Sequence, residues 1–443
     1  MTDDLQIEDL LKDAGVAGAS DSVTSPVPLR RRRRGWIITG IVALLLIGTV
    51  GGYTAYALNA PLPEATAVTT TPAPRTPSAV ELAAPRSGDW AITVSGAEEY
   101  FLSAATDPTQ TLQASSGLDR VQPMASISKV ITALVVLEAK PLTDANDAGP
   151  TITFSRADHA LYDEYYVRNA TIAAMPTGSR MSQRDALKMM LVISASNYAD
   201  AVARWAYGSQ RAFLRAADAW LTAHGLTDTT MVEPTGIDAR NTSTPADMML
   251  LGELAMANPT IAAIVGSETL NVSGFSGRNT NLLLGDDGVN GIKTGTLNGS
   301  GSNLLFSARL PVGLGDPLEV TGVVLGGSSR EAVDRNVAGL LDSVSAGFHD
   351  VTLGSRGDQV GGLSTAWGSH AKIVLADDAS VFTWSDTPIE VTMSPIAYRD
   401  GQADEIVGTV TWTAGQNSTS VDLVLDADLE PPDTWWLLTN PGR

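Results

Sequence analysis

The stretch Pro123-Met-Ala-Ser126-Ile-Ser-Lys129-Val-Ile-Thr-Ala-Leu-Val-Val-Leu137 carries apolar residues at Val130, Ala133, Leu134 and Leu137, the i, i+3, i+4, i+7 spacing of one helical face. Ile131, Val135 and Val136 fill the other faces, so the spacing predicts a helix apolar nearly all round, buried in the middle of a domain. Ser126 stands at its start and Lys129 three residues on. Residues i and i+3 are neighbours on a helix, so the Lys129 amine can reach the Ser126 hydroxyl. Serine at a helix start is also an ordinary N-cap, which leaves two readings of the pair: a cap, or a nucleophile with its base. The same spacing recurs at Ser369-His-Ala-Lys372, but among strand patterns, which put the two side chains on opposite faces and make that pair surface.

Outward from this helix, further helices are expected at about 182–206, 209–224 and 245–257, then strands at Gly291–Thr296, Asn303–Ala308 and Leu318–Leu325, and a last helix over Arg330–Ser345. Trp90–Val94 reads as the first strand, with a partner around Tyr100-Phe101-Leu102 across a turn at Gly96. Strands at both sequence ends with helices between them predict an α+β fold: one antiparallel sheet flanked by helices, with a helical subdomain inserted. From about Asp350 the pattern alternates over Lys372–Leu375, Ile389–Met393, Ile406–Trp412 and Val421–Leu425, the signature of a small all-β domain.

The expected divisions are a tail over 1–34, a membrane span over 35–60, a linker over 61–86, a main domain over 87–349 and the β domain over 350–443. Gly35–Ala60 carries no charge and is long enough to cross roughly 30 Å of hydrocarbon as a helix. The five arginines before it, Arg30 to Arg34, favour a cytoplasmic N-terminus and an extracytoplasmic remainder. A cleaved signal peptide is the competing reading, given Ala55-Tyr56-Ala57, though signal cores run to only about 7 to 15 residues. The tail is acidic, with a short amphipathic helix possible only at Leu5–Leu11 and the rest expected to be disordered. Ala, Thr and Pro dominate from Ala60 to Pro85, a composition that makes an extended spacer.

A formal charge of −20 repels phosphate backbones, and the one dense basic run abuts the span, so nucleic acid is not an expected partner. The chain has no cysteine, which excludes disulfides, thiolate nucleophiles and Cys-ligated metals.

Two more motifs follow Ser126-Ile-Ser-Lys129: Ser194-Ala-Ser196-Asn197 and Lys293-Thr294-Gly295-Thr296. In this order, and with the flanks Met190-Leu-Val-Ile and Gly288-Val-Asn-Gly-Ile, they resemble the low-molecular-mass D-alanyl-D-alanine carboxypeptidases, the S11 peptidases among the penicillin-binding proteins. The resemblance spans about residues 88–348, more weakly the β domain, and implies the sheet-and-helix fold shared with serine β-lactamases. It implies Ser126 as nucleophile, Lys129 as base and Ser194 as relay to a departing D-alanine. Ser196, Asn197, Lys293, Thr294, Gly295 and Thr296 would bind substrate, with an oxyanion hole from the N–H groups of Ser126 and Thr296. The substrate would be a peptidoglycan stem peptide ending in D-Ala-D-Ala, and β-lactams would inhibit covalently; no metal or cofactor is implied. Ser196 stands where the family usually has asparagine.

The four histidines lie in no nucleophile context, so lysine must be the base. Lys129 then needs its pKa lowered, by burial in the apolar helix and by a second cation, for which Lys293 is the candidate. A non-catalytic penicillin-binding sensor or scaffold is the alternative, resting on Ser196. A β-lactamase is a further one: Glu233 is a candidate base, but Glu233-Pro-Thr-Gly-Ile-Asp resembles the carboxypeptidase segment Asn-Pro-x-Gly-Leu and lacks the Glu-x-x-Leu-Asn form.

Overall fold

The computed structural model describes residues 30–73, 77–101, 111–272 and 274–442. The expected helix at Leu5–Leu11 and residue Leu102 lie outside them. The helices are α1 (Arg30–Leu58), α2 (Ser128–Ala139), α3 (Arg156–Tyr166), α4 (Gln183–Leu191), α5 (Ser196–Tyr207), α6 (Gln210–Ala223), α7 (Pro245–Ala257), α8 (Pro259–Val265), α9 (Arg330–Ala346) and α10 (Thr434–Thr439).

Residues 67–362 and 371–428 form one compact unit. At its centre is a five-stranded antiparallel sheet in the order Val289–Leu297, Gly301–Leu310, Leu318–Gly327, Asp89–Ser95, Leu112–Ser116. The first strand of the domain therefore joins the last, as the sequence pattern predicts, but its other partner is Leu112–Ser116. The expected partner at Tyr100 is instead a single 3-10 turn, Glu98–Tyr100. Tyr100 is buried in an aromatic cluster with Phe348, so a strand-forming residue type serves packing here.

Both faces of the sheet are covered, and the period-2 alternation of its strands shows how. Ala91, Ile292, Leu305 and Val323 point into the core built by α2 and α4 to α8. Their neighbours Trp90, Ile92, Leu304, Phe306 and Val324 point the other way, onto Val333, Val337, Leu340, Leu341 and Val344 of α9. The prediction that α2 is apolar all round holds: every residue from Ser128 to Leu137 is buried. The single helix expected over 182–206 is two. α4 ends at Leu191, Ser194 takes a left-handed backbone (φ +66°), and α5 starts at Ser196. Apolar residues continue through the break, which hides it from a periodicity argument.

After α9 the chain turns into antiparallel strands, with His370–Leu375, Asn417–Leu425, Ile406–Ala414 and Ile389–Met393 adjacent in that order. Packing runs continuously across residue 349: Phe348 stacks on Phe382 (centroids 5.9 Å apart), Phe101 meets Trp384 edge-on, and Thr387 Oγ1 donates to the Tyr100 carbonyl at 2.6 Å.

The second unit consists of the described residues among Met1–Thr66, Leu363–His370 and Leu429–Arg443. Within α1, Gly35–Leu58 is 24 residues long, apolar and largely exposed, which is long enough to cross a membrane. Its Tyr53 hydroxyl donates to the Leu438 carbonyl of α10 at 2.7 Å, and Trp436 of α10 packs edge-on to Trp367.

Phe348→Ala removes the centre of the aromatic cluster, and we expect it to destabilise the larger unit by about 3 to 5 kcal/mol, measured by urea denaturation. A loss under about 1 kcal/mol would show that the cluster is not a structural joint.

Candidate active site

Ser126 lies in the 3-10 turn Ala125–Ile127 that feeds directly into α2. The turn is held from three sides. Asn303 on the central sheet donates to the Pro123 carbonyl at 2.9 Å while its Oδ1 accepts the Gly326 amide at 2.8 Å. The Met124 amide donates to the Asn241 carbonyl, and Ser128 Oγ donates to the Ala125 carbonyl at 2.8 Å. Gly295 lies on the strand alongside: a Cβ there would sit 3.2 Å from the Ser126 nitrogen and 3.0 Å from the Met124 oxygen. The expected reason for glycine, close approach of substrate, is joined by another, close approach of the strand to the nucleophile turn.

One helical turn on, Lys129 has no exposed surface. Its Nζ is 2.9 Å from Ser126 Oγ and donates to the Thr235 carbonyl at 2.7 Å. Burial lowers its pKa to about 7 by penalising the charged form, against an opposing pull from the Glu233 carboxylate. Lys293 is electrostatically coupled to Lys129, as expected: burial first, and then Lys129 and Arg330, push the Lys293 amine well below its ordinary range. Lys293 is buried, with Nζ 3.1 Å from the Thr294 carbonyl and 3.3 Å from Thr280 Oγ1, and Thr294 Oγ1 donates to the same threonine at 2.7 Å. Thr280 belongs to no motif and was not singled out from sequence.

In front of Ser126 lies a cleft of about 600 Å³, lined among others by Ser196, Thr296, Gly236, Arg168, Asn169 and Asp238. The structure therefore brings the three motifs to one place, though not with every residue. Asn197 is the exception: it is fully buried, its amide donates to the Ala173 carbonyl and its Oδ1 accepts the Ala173 amide, so it staples a loop and does not reach the cleft. Ser194 is nearly buried, and among the described residues none hydrogen-bonds its hydroxyl. Left-handed backbone at a non-glycine residue is a strained conformation that clusters at functional sites. The histidines are elsewhere: the rings of His159, His224 and His349 each bond a backbone carbonyl.

The Glu233 carboxylate is taken up by the groups around it rather than left free as a water-activating base would be. It accepts the amides of Thr235 at 2.7 Å and Gly236 at 2.6 Å, and the Asn241 side chain at 3.2 Å. Gly236 has φ +78°, and a Cβ there would lie 1.8 Å from the Ala125 oxygen. Asp238, beside it on the cleft wall, is held down to about 2 chiefly by hydrogen bonds from Arg240, with Arg168 adding to the effect.

Solved structures share this architecture. Penicillin binding protein 5 from Haemophilus influenzae aligns over 79% of this chain and 98% of its own, with a TM-score of 0.51 and 18% identity. A peptidoglycan synthesis regulatory factor from Streptococcus pneumoniae aligns over 79% and 99%, with a TM-score of 0.50 and 19% identity. The fold is thus that of the penicillin-binding proteins. The family model for D-alanyl-D-alanine carboxypeptidase, Peptidase S11, matches residues 106–328, half of the chain, and the chain belongs to that family. Similar proteins include a D-alanyl-D-alanine endopeptidase of Pseudomonas aeruginosa, 31% identical over 210 residues, which are 44% of this chain and 63% of that protein. The D-alanyl-D-alanine carboxypeptidase DacD of Salmonella typhimurium is 26% identical over 260 residues, 57% of this chain and 64% of that one. The chain thus spans somewhat under two thirds of the length of these relatives.

Gly236→Ala drives a methyl group into the Ala125 carbonyl and so displaces the turn that carries Ser126. We expect the rate of acylation by a fluorescent penicillin to fall at least about 100-fold, well beyond what a change in melting temperature would explain. Acylation within about threefold of wild type would show that this contact does not set the position of Ser126.

Proposed function

We propose that the chain is a serine-type D-Ala-D-Ala carboxypeptidase that trims the terminal D-alanine from peptidoglycan stem peptides. The observation that carries this reading is a buried amine with a pKa near 7 at 2.9 Å from a cleft-lining serine. A lysine titrating there is partly neutral at physiological pH, so Lys129 can take the Ser126 proton as the hydroxyl attacks the carbonyl between the last two D-alanines. The oxyanion forms against the Ser126 and Thr296 amides, D-alanine leaves with a proton relayed through Ser194, and water then hydrolyses the acyl-enzyme. Thr296, with Lys293 and Thr294 behind it, would meet the substrate carboxylate, and Ser196 its backbone. β-Lactams would acylate Ser126 by the same path.

The proposed division of labour keeps this chemistry in 87–349, with 350–443 as an accessory β domain. α1 would anchor the protein as a single span, its N-terminus cytoplasmic and its catalytic part facing the wall, on the strength of the arginines at its start. Engagement of Glu233 with the backbone beside it disfavours the β-lactamase reading.

The test is D-alanine release from a stem pentapeptide by the detergent-solubilised full chain, beside Ser126→Ala. Release that the variant abolishes, together with loss of its penicillin adduct, is the expected result; a stable adduct with no release from folded wild type would make the protein a sensor. In wild type, kcat/KM should rise with pH through about 7, because the base must be deprotonated. A profile flat from pH 5.5 to pH 8.5 would rule out Lys129 as that base.

A further inference from the structure

Glu233 stands at the position where the resembling carboxypeptidase segment has asparagine, and the mechanism above gives it no task. Its surroundings are specific. The side chain is buried, and its two oxygens collect the Thr235 and Gly236 amides and the Asn241 side chain. The same Asn241 amide also reaches Ser128 Oγ at 3.1 Å, and Asn241 Oδ1 accepts the Val232 amide at 2.7 Å. The backbone so folded presents two carbonyls to α2: Thr235 O to Lys129 Nζ and Pro234 O to Thr132 Oγ1, both at 2.7 Å.

We propose that Glu233 is a positioning residue for the general base: it builds the turn whose Thr235 carbonyl aims Lys129 at Ser126, and it supplies the counter-charge for the ammonium formed when Lys129 takes the serine proton. This rests on the carboxypeptidase reading and deepens it. A buried ammonium without an anion nearby is unfavourable, so a carboxylate whose field reaches it favours proton transfer out of the serine. The same charge opposes the effect of burial on Lys129. An asparagine, with a single acceptor oxygen, could replace only part of this bonding and none of the charge.

Among the described residues the other ionisable groups around this cluster include Asp238, whose backbone amide donates to Glu233 Oε1 at 3.4 Å and whose carboxylate accepts from Arg240. Lys293, on the strand, is sensitive to Lys129. Tyr165 of α3 is held in its neutral form by burial and by the fields of Asp200 and Glu233. Asp200 of α5 is bound by Arg204 and by Tyr165. Neither Asp200 nor Arg204 is among the groups that bear on Lys129, which leaves Glu233 as the anion that does.

The experiment measures kcat/KM against pH, for D-alanine release and for penicillin acylation, in full-length wild type, E233Q, E233N and E233D. Removing the charge makes Lys129 less basic, so the acidic limb should move about one unit to lower pH in E233Q and E233N, while the plateau rate falls about tenfold. E233D keeps the charge and should keep the limb within about 0.3 units. E233N, the residue of the resembling segment, serves if E233Q does not fold. A limb that stays in place in folded E233N, with only the melting temperature or KM altered, would overturn the proposal and reduce Glu233 to a loop brace. A wild type that neither releases D-alanine nor takes up penicillin would instead overturn the enzymatic reading itself.

Discussion

A lysine amine with no exposed surface, 2.9 Å from a serine hydroxyl, is the interaction around which this protein is arranged. Burying a charged amine is unfavourable, and that burial lowers the Lys129 pKa to about 7, the condition under which it could serve as the proposed base. An α2 apolar on every side is what produces the burial. A surface helix with the same serine and lysine would hold an ordinary ammonium in water, unable to accept a proton near pH 7.

The sheet does the remaining work of placement. The strand carrying Lys293 and the turn carrying Ser126 are far apart in sequence, and they meet because Gly295 removes the side chain that would separate them and Asn303 ties the adjacent strand to Pro123. From the opposite side, the 233–241 loop closes on the turn through Gly236 and Asn241. Ser126 is thus held by rigid elements rather than by its own loop, the arrangement in which geometry is kept within fractions of an ångström.

Much of this could be read from the chain, and the parts that could not share a cause. The buried helix, the sheet strands after residue 288, α9 and the three motifs were legible because apolar period and motif spacing are local properties. The break at Ser194 was not, since a left-handed residue leaves no mark on hydrophobic patterning. Tyr100 and Phe101 look like strand residues in isolation and were claimed by a distant aromatic cluster. Asn197 was placed in the site by its neighbourhood in sequence, yet the first turn of α5 points it at Ala173. Thr280, Asn241 and Asn303 act through contacts that no motif spacing encodes, Asn241 across its own loop and on to Ser128, the other two between separate segments. Glu233 was visible, but as a rival catalyst; its part in shaping the loop follows from the direction of its hydrogen bonds.

The seal around Lys129 has one more consequence. With Thr235 O behind it, apolar helix on its flanks and Ser126 in front, the amine has no exposed surface. In the proposed mechanism, a proton taken from the serine could leave only by the side it entered. Such a cycle would be metered: until something standing in the cleft carried that proton away, the amine would stay loaded.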